Sequence, residues 1–589
     1  MKHKLLFGLR TAAFSAFAVF SGICAQAQYE LDWNYDYSVA GNNYIEIVGT
    51  ATDAASNYYV VANYFDTVDI DLGPGEVFVY PSNYSSMFIA KYDASGELIW
   101  GNPIGIVDAS VIGYGMTVDA AGNVYVTGAT GTEPGVNVDF DPNAGTSFLA
   151  LGSSQYRFMW ILKWDANGNF SWVRDIRTQT STNNTGVIPQ GIAVDTDGNV
   201  FVTGAWDRDL NFGPPSNLTL TSGDFKVSVF LAKYNSGGTF QWAKQFNQSW
   251  QYPTLLSGYF DQISVNSNGI YLAGRFGGNI DLNPGAGFDT LSAPLQTVTA
   301  VAIKLDSNGD YVWANKFLPA NANSQSSVYT STTDADGNLY MGGGFGGTVD
   351  FDPTNNSNDI ASVGSGEDMF MGKINTNGSL SWLKTIGAEN TQYFSSMDLD
   401  ELGSVFFVGT FEDTVDFDPG AGTELMSSEA FYDNFLLKLD NTGDFDYVRK
   451  WGGDEYDELY TMLFDAAGDI LISGYYRSTD MEFDPFRGGF TESWTYLMKL
   501  SVPNISVNEM EAEDDFSVFP VPADQFVTVS GIESGSLIRV IDIKGKEVFN
   551  QNVNAETVQI STGTLANGLY VVKIESANFK GQKKIMVNH

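Results

Sequence analysis

Val138-Asp139-Phe140-Asp141-Pro142 is the stretch that decides the fold, because the chain writes it seven times. The other copies are Val68-Asp69-Ile70-Asp71, Leu210-Asn211-Phe212-Gly213-Pro214, Ile280-Asp281-Leu282-Asn283-Pro284, Val349-Asp350-Phe351-Asp352-Pro353, Val415-Asp416-Phe417-Asp418-Pro419 and Met481-Glu482-Phe483-Asp484-Pro485. Successive copies stand 66 to 72 residues apart. A regular period of this length marks an array of one supersecondary unit, and that fact outranks any local reading.

Residues 114–173 give the unit in full. Tyr114-Gly115-Met116-Thr117-Val118 alternates, and Asp119-Ala120-Ala121-Gly122-Asn123 is a turn signal. Val124-Tyr125-Val126-Thr127-Gly128 alternates again, and a long connection then carries the acidic landmark. Phe158 to Trp164, the turn Asp165-Ala166-Asn167-Gly168 and Phe170-Ser171-Trp172-Val173 complete it. Short runs of β-formers punctuated by Asp-x-x-Gly turns predict an antiparallel four-stranded meander. A Lys closes each third strand (Lys91, Lys163, Lys233, Lys304, Lys373, Lys438, Lys499). An aromatic residue marks the fourth (Trp100, Trp172, Trp242, Trp313, Trp382, Tyr447). Both series read as packing between units and its rim, with the Lys screening local acids.

The last unit lacks its fourth strand after Lys499, and Leu31-Asp32-Trp33-Asn34 supplies the missing pattern at the other end of the chain. The expectation is therefore an all-β ring: a seven-bladed β-propeller of four-stranded antiparallel blades, spanning 28–502 and closed by the N-terminal strand. Radial repetition of this kind protects sheet edges that a linear array leaves open.

Seventy acids against thirty bases leave a formal charge of −40. Such a field repels phosphate backbones, which argues against nucleic acid as a partner. With 14% aromatic residues, the chain is built to pack rather than to stay disordered. Its two His are His3 and His589 and its single Cys is Cys24. Between residues 28 and 588 there is thus no base for a Ser-His-Asp or Cys-His pair, no usual zinc ligand and no disulfide.

Residues 1–27 read as a secretory signal peptide: Lys2, Lys4 and Arg10, an apolar stretch from Leu5 to Phe20, then Ala25-Gln26-Ala27 as the cleavage site. Ile23 stands where a lipoprotein signal needs a small residue before Cys24. No other run is long and apolar enough to span a bilayer, so the mature chain is expected to have no transmembrane segment.

The Asp-x-x-Gly-Asn turn with its following strand, the acidic landmark and the Lys91-to-Trp100 hairpin together resemble the secreted bacterial β-propeller repeat family. The resemblance covers residues 30 to 502 and implies a fold rather than an activity.

Residues 503–515, with Glu509, Glu511, Glu513, Asp514 and Asp515, read as an acidic linker. Beyond it come the opening Phe516 to Ala523, short strands such as Phe526-Val527-Thr528-Val529 and Leu537 to Asp542, and the turn Lys544-Gly545-Lys546. Asn567-Gly568-Leu569-Tyr570 and Lys583-Lys584-Ile585-Met586-Val587 follow. These predict a small β-sandwich over 516–589. The Pro520-Val521-Pro522 opening, the Asn-Gly-Leu-Tyr strand and the closing Lys-Lys strand resemble the type A C-terminal sorting domain of the type IX secretion system. Val521 departs from the Asn usual between the prolines. The resemblance implies type IX machinery as a partner, and a secreted or cell-surface location on the exterior of the outer membrane.

Four landmarks keep both carboxylates: Asp69/Asp71, Asp139/Asp141, Asp350/Asp352 and Asp416/Asp418. They are the candidate calcium ligands, since calcium takes six to eight oxygens. Side-chain capping of a turn is the competing reading of the same residues, and the favoured one, because Asp and Pro are common turn residues. In a meander the landmark connections emerge on the same face as the links between units, opposite the tight turns, and long loops on a rigid scaffold are where binding concentrates.

The function expected is a binding or structural module for a glycan, peptide or surface protein. The alternative is a carboxylate-dependent polysaccharide-degrading enzyme of glycoside-hydrolase type. No catalytic residue stands apart from the repeat. The departures from it, Trp250-Gln251-Tyr252-Pro253 and the aromatic-acidic stretch Trp451 to Tyr460, are the places to look.

Overall fold

The computed structural model describes residues 30–501 except 40–44, 82–84, 105–109, 131–136, 143–146, 151–157, 179–185, 208, 214–217, 222–226, 247–258, 293–296, 355–356, 430 and 478–493. It also describes most of 516–587. The signal peptide, the acidic linker, the seventh landmark at 481–485, the Trp250 insertion, the Pro520-Val521-Pro522 opening and the Lys544-Gly545-Lys546 turn lie outside the described residues. Every regular element described is a β-strand. No helix among the described residues is long and apolar enough to cross a membrane. Contacts divide the chain into one unit of residues 29–501 and another that contains residues 502–589.

In the larger unit the strands pair as successive antiparallel meanders, numbered here as sheets one to seven. Sheet one is Glu46–Thr52, Tyr58–Tyr64, Ser86–Tyr92 and Leu98–Ile104. Sheet two is Val111–Val118, Val124–Thr130, Phe158–Trp164 and Phe170–Thr178. Sheets three to six repeat the order, beginning at Val187, Tyr259, Gln325 and Gln392. Sheet seven takes Asp457–Phe464, Ile470–Tyr476 and Trp494–Ser501, and its fourth strand is the N-terminal Glu30–Asp36. There Leu31 stands opposite Leu500 and Asn34 opposite Met498. None of these sheets closes on itself. The first strands of consecutive sheets lie side by side, and Asp457–Phe464 lies beside Glu46–Thr52.

Second and third strands are buried almost throughout, as Tyr58–Tyr64 and Ser86–Tyr92 show. Both faces of these strands pack against neighbouring sheets, so their sequences read as near-continuous apolar runs. Each first strand carries a register shift, for instance between Ile47 and Gly49, between Gly113 and Gly115, and between Leu459 and Thr461. A bulge of this kind bends a strand and raises its twist.

The aromatic series joins neighbouring sheets. Indole Nε1 donates to a carbonyl in the next sheet from Trp100 (Ala166, 3.2 Å), Trp172 (Ser236, 3.1 Å), Trp313 (Thr376, 3.1 Å) and Trp382 (Asn441, 3.4 Å). Trp33 of the N-terminal strand does the same toward Ala94 in sheet one, at 3.4 Å. The turn glycine sits on the indole. A Cβ added at Gly168, Gly238 or Gly443 would lie 2.7–2.9 Å from Trp100, Trp172 or Trp382, and each of these glycines has positive φ. Only glycine meets both demands.

On the same rim the Lys series bridges an acid and a ring. Lys91 Nζ stands 3.1 Å from Asp53 and 4.8 Å from the centre of the Tyr59 ring. Lys373 repeats this with Asp334 and Tyr340, and Lys438 with Asp400 and Phe406. The Asp53 carboxyl is opposed by burial, yet hydrogen bonds from Asn57, Lys91 and Tyr59 outweigh it and hold the pKa down to about 2.

The smaller unit has a three-stranded sheet (Ser517–Phe519, Phe526–Ser530, Thr557–Ser561) and a four-stranded one (Glu547–Val553, Ser536–Asp542, Gly568–Glu575, Lys580–Val587). Val527, Val529 and Ile560 from one and Ile538, Val540, Val572, Ile574 and Ile585 from the other form a single core.

Candidate functional site

Each described landmark lies between the second and third strands of its sheet, and there the chain folds a small hairpin of its own. Examples are Asn137–Asp139 with Phe148–Ala150, Thr348–Asp350 with Asp359–Ala361, and Thr414–Asp416 with Leu425–Ser427. Period-2 alternation assigns the motif two jobs. Its apolar positions are buried: Val138 with Phe140, Val349 with Phe351 and Val415 with Phe417 are each 0% exposed. Its acidic positions then face the loop.

One oxygen of the first Asp closes that loop by accepting two backbone amides. Asp350 Oδ1 takes Asp352 N at 3.0 Å and Asn358 N at 2.9 Å. Asp69 takes Asp71 N and Val77 N, Asp139 takes Asp141 N and Ser147 N, and Asp416 takes Asp418 N and Glu424 N, all within 2.8–3.2 Å. Asp281 follows the same rule with Asn283 and Asp289. The second position caps again: Asp71 Oδ1 accepts Gly73 N, Asp352 accepts Thr354 N and Asp418 accepts Gly420 N, at 2.7–2.8 Å.

The predicted pairs are thus neighbours within a loop, each spending oxygens on amides. No group of three or more His, Cys, Asp or Glu placed to hold a metal occurs among the described residues. The contacts these oxygens make are those of amide capping.

Departures from the repeat are more telling. Three carboxyls have pKa values raised to about 6, each chiefly by burial: Asp36, Asp368 and Asp398. Hydrogen bonds offset part of the effect, from Tyr476 at Asp36, from the Val363 and Ala388 amides at Asp368, and from the Phe464 and Leu399 amides at Asp398. They lie in sheets seven, five and six.

At the junction of sheets six and seven, on the landmark face, four aromatic rings form a continuous strip. Phe431 and Tyr456 stack with centroids 4.5 Å apart and planes 23° from parallel. Tyr432 lies 5.8 Å from Tyr456, and Tyr393 lies 6.0 Å from Tyr432. Phe431, Tyr456 and Tyr393 are 39%, 38% and 38% exposed. The Tyr432 hydroxyl is pushed up to about 12 by burial, by its hydrogen bond with Tyr393 and by the nearby Glu412 charge. Sequence reasoning singles out only the segment that contains Tyr456. Tyr393, Phe431 and Tyr432 carry no signal of their own, since each is one aromatic residue among many.

Comparison with known proteins bears on the two units separately. Residues 517–588 match the family model of the secretion system C-terminal sorting domain. Residues 100–133 and 175–205 match the model of the beta-propeller repeat. The chain carries β-propeller repeats and a type IX sorting domain. It is therefore a secreted or cell-surface protein. No curated protein matches it. Among solved structures, PorZ, a bacterial surface component of the type IX secretion system of Porphyromonas gingivalis, matches at 11% identity and TM-score 0.18, over 94% of this chain and 100% of that one. A protein of unknown function from Dyadobacter fermentans matches at 9% identity and TM-score 0.32, over 80% and 99%. At such TM-scores these likenesses carry no argument.

Proposed function

We propose that this chain is a seven-bladed propeller, closed by its N-terminal strand, that the type IX machinery exports through residues 516–589. On the cell surface or in the medium it serves as a binding module for a glycan, peptide or surface protein. The sorting-domain match over 517–588 carries the export part. Closure is supported by the pairing of Glu30–Asp36 with Trp494–Ser501 and by the Trp33-to-Ala94 bond. It is supported further by Thr50 Oγ1, which donates to Thr461 Oγ1 at 2.9 Å between first and last sheets. The binding part rests on a rigid core that holds loops of unlike sequence on one face.

Deleting residues 516–589 in a host with this secretion system tests the proposal. The full chain is expected on the surface or in the medium, and the truncated chain in the periplasm. Equal surface delivery of both would overturn export through the tail. Turnover of a bound polysaccharide would replace the binding module with an enzyme.

A further inference from the structure

We propose that the strip Phe431–Tyr456–Tyr432–Tyr393 is a binding site for a neutral glycan, a chain of hexopyranose units laid across the junction of sheets six and seven. The inference rests on the binding-module reading and names its site and ligand class.

The strip breaks the repeat. Register with the preceding strand pairs Phe345 with Asp368 in sheet five and Phe411 with Asp433 in sheet six. Phe431 and Tyr432 therefore occupy the places of Gly366 and Glu367. By the same logic Tyr456, one residue before Asp457, takes the place of Thr391, one residue before Gln392. At the sheet five–six junction Gly366 lies directly against Asn390 and Thr391, with no room for a side chain. One junction later, Phe431 lies flat on Tyr456 instead. The fold does not require aromatic residues here, and the neighbouring junction manages without them.

The strip is also exposed. Single exposed apolar residues are ordinary, whereas contiguous aromatic surface marks an interaction site. Its ring-to-ring steps of 4.5, 5.8 and 6.0 Å make the four rings one connected series. A connected series of rings can meet successive units of one ligand chain.

Charge selects the occupant. Glu412 lies by Tyr432, and Asp413 on the adjoining turn accepts Asn390 Nδ2 at 2.7 Å. Among the described residues two cations stand nearby: Lys450 Nζ is committed, 2.9 Å from Asp433 and 3.5 Å from Glu429, while Arg477 is exposed and its backbone amide donates to the Tyr456 carbonyl at 3.1 Å. Carboxylates accept hydrogen bonds from sugar hydroxyls while the C–H face of the ring rests on an aromatic face. Against that one exposed guanidinium, the carboxylates here and the chain's net charge of −40 disfavour uronic acids, sulfated sugars and phosphate. A cation held by rings needs their faces turned around it. Here Phe431 and Tyr456 stack on each other instead of enclosing a space.

Affinity electrophoresis of the full chain through gels that contain cellulose derivative, xylan, mannan, β-1,3-glucan or alginate tests the proposal. At least one neutral polysaccharide is expected to retard the protein, and alginate is not. Phe431→Ala with Tyr456→Ala is expected to weaken that binding by about tenfold or more, since an aromatic contact of about 1.4 kcal/mol corresponds to a factor of ten. Phe431→Trp is expected to keep it, which separates stacking from misfolding, and thermal melts accompany each variant. Retardation that persists in the double variant would overturn the site while leaving the binding module intact. Retardation by no neutral polysaccharide, by alginate instead, or competition by choline alone would overturn the ligand class. Surface delivery is measured separately and does not depend on these rings.

Discussion

Asp350 offers the sharpest test of what the landmark does. Its Oδ1 accepts the amides of Asp352 and Asn358, at 3.0 and 2.9 Å, and so ties residue 350 to the far side of its loop. Asp350→Ala removes both bonds. Hydrogen bonds to a charged acceptor contribute about 1.5–3 kcal/mol each, but Asn358 is exposed and its freed amide can turn to water. The expected loss is therefore about 2 kcal/mol for the pair. Asp350→Asn keeps an oxygen in place and should lose under about 1 kcal/mol. Sheet three already uses that solution, where Asn211 Oδ1 accepts Gly213 N at 2.8 Å. For the unit of residues 29–501, an unfolding entropy of about 2.1 cal/mol/K per residue turns 2 kcal/mol into a Tm shift of about 2 °C. Calorimetry of wild type, Asp350→Asn and Asp350→Ala, each with calcium and with chelator, reads this directly. The capping account predicts that Asn is milder than Ala and that calcium and chelator change nothing. If Asn costs as much as Ala, and chelator erases the difference between either variant and wild type, the carboxylate holds a cation and the account fails.

Other expectations follow from the same geometry. Trp33 and Trp172 are 8% and 7% exposed in equivalent places, so each Trp→Ala change should cost about 3 kcal/mol or more in a denaturant melt; a silent Trp33→Ala would detach the N-terminal strand from the fold. Asp413 has φ +65, where sheets four and five use Gly278 and Gly347 at +72 and +71. Both Asp413→Gly and Asp413→Ala lose the Asn390 bond, but only Ala keeps the strain, so Asp413→Ala should melt below Asp413→Gly. Asp36, Asp368 and Asp398 have folded pKa values raised to about 6. The folded state thus binds more protons than the unfolded one between about pH 4 and 6, and stability falls as pH rises through that window. Asp398→Asn should flatten that slope in melts taken from pH 4 to 7; an unchanged slope would show that Asp398 does not contribute to it.

The sequence speaks clearly wherever structure is set by neighbours along the chain. Alternation in Val349-Asp350-Phe351-Asp352 is enough to sort buried from loop-facing residues, and the Asp-x-x-Gly turns announce themselves through glycine. Leu31-Asp32-Trp33-Asn34 is legible because the last repeat lacks that pattern. The hairpin inside each landmark is not legible: the bond that closes it joins Asp350 to an amide eight residues on, and no local propensity encodes it. The aromatic strip is hidden for a related reason. Tyr393 comes from a strand, and Phe431, Tyr432 and Tyr456 from two loops, and they meet only once two sheets are packed. The spacing of the Asp pairs suits both calcium and amide capping, because residue type and spacing cannot tell an oxygen aimed at a cation from one aimed at an amide.

The account depends most on the N-terminal strand as the fourth strand of sheet seven. Ser501 Oγ donates to Asp32 Oδ2 at 3.2 Å, so those side chains already meet. Residues 28–589 contain no Cys, which lets an introduced pair report without background. Asp32→Cys with Ser501→Cys is predicted to form an intramolecular disulfide on mild oxidation. Asp32→Cys with Leu500→Cys is predicted not to, because one step along a strand turns the side chain to the opposite face. Failure of the first pair to bridge, or equal bridging by both, would contradict the closure on which the rest is built.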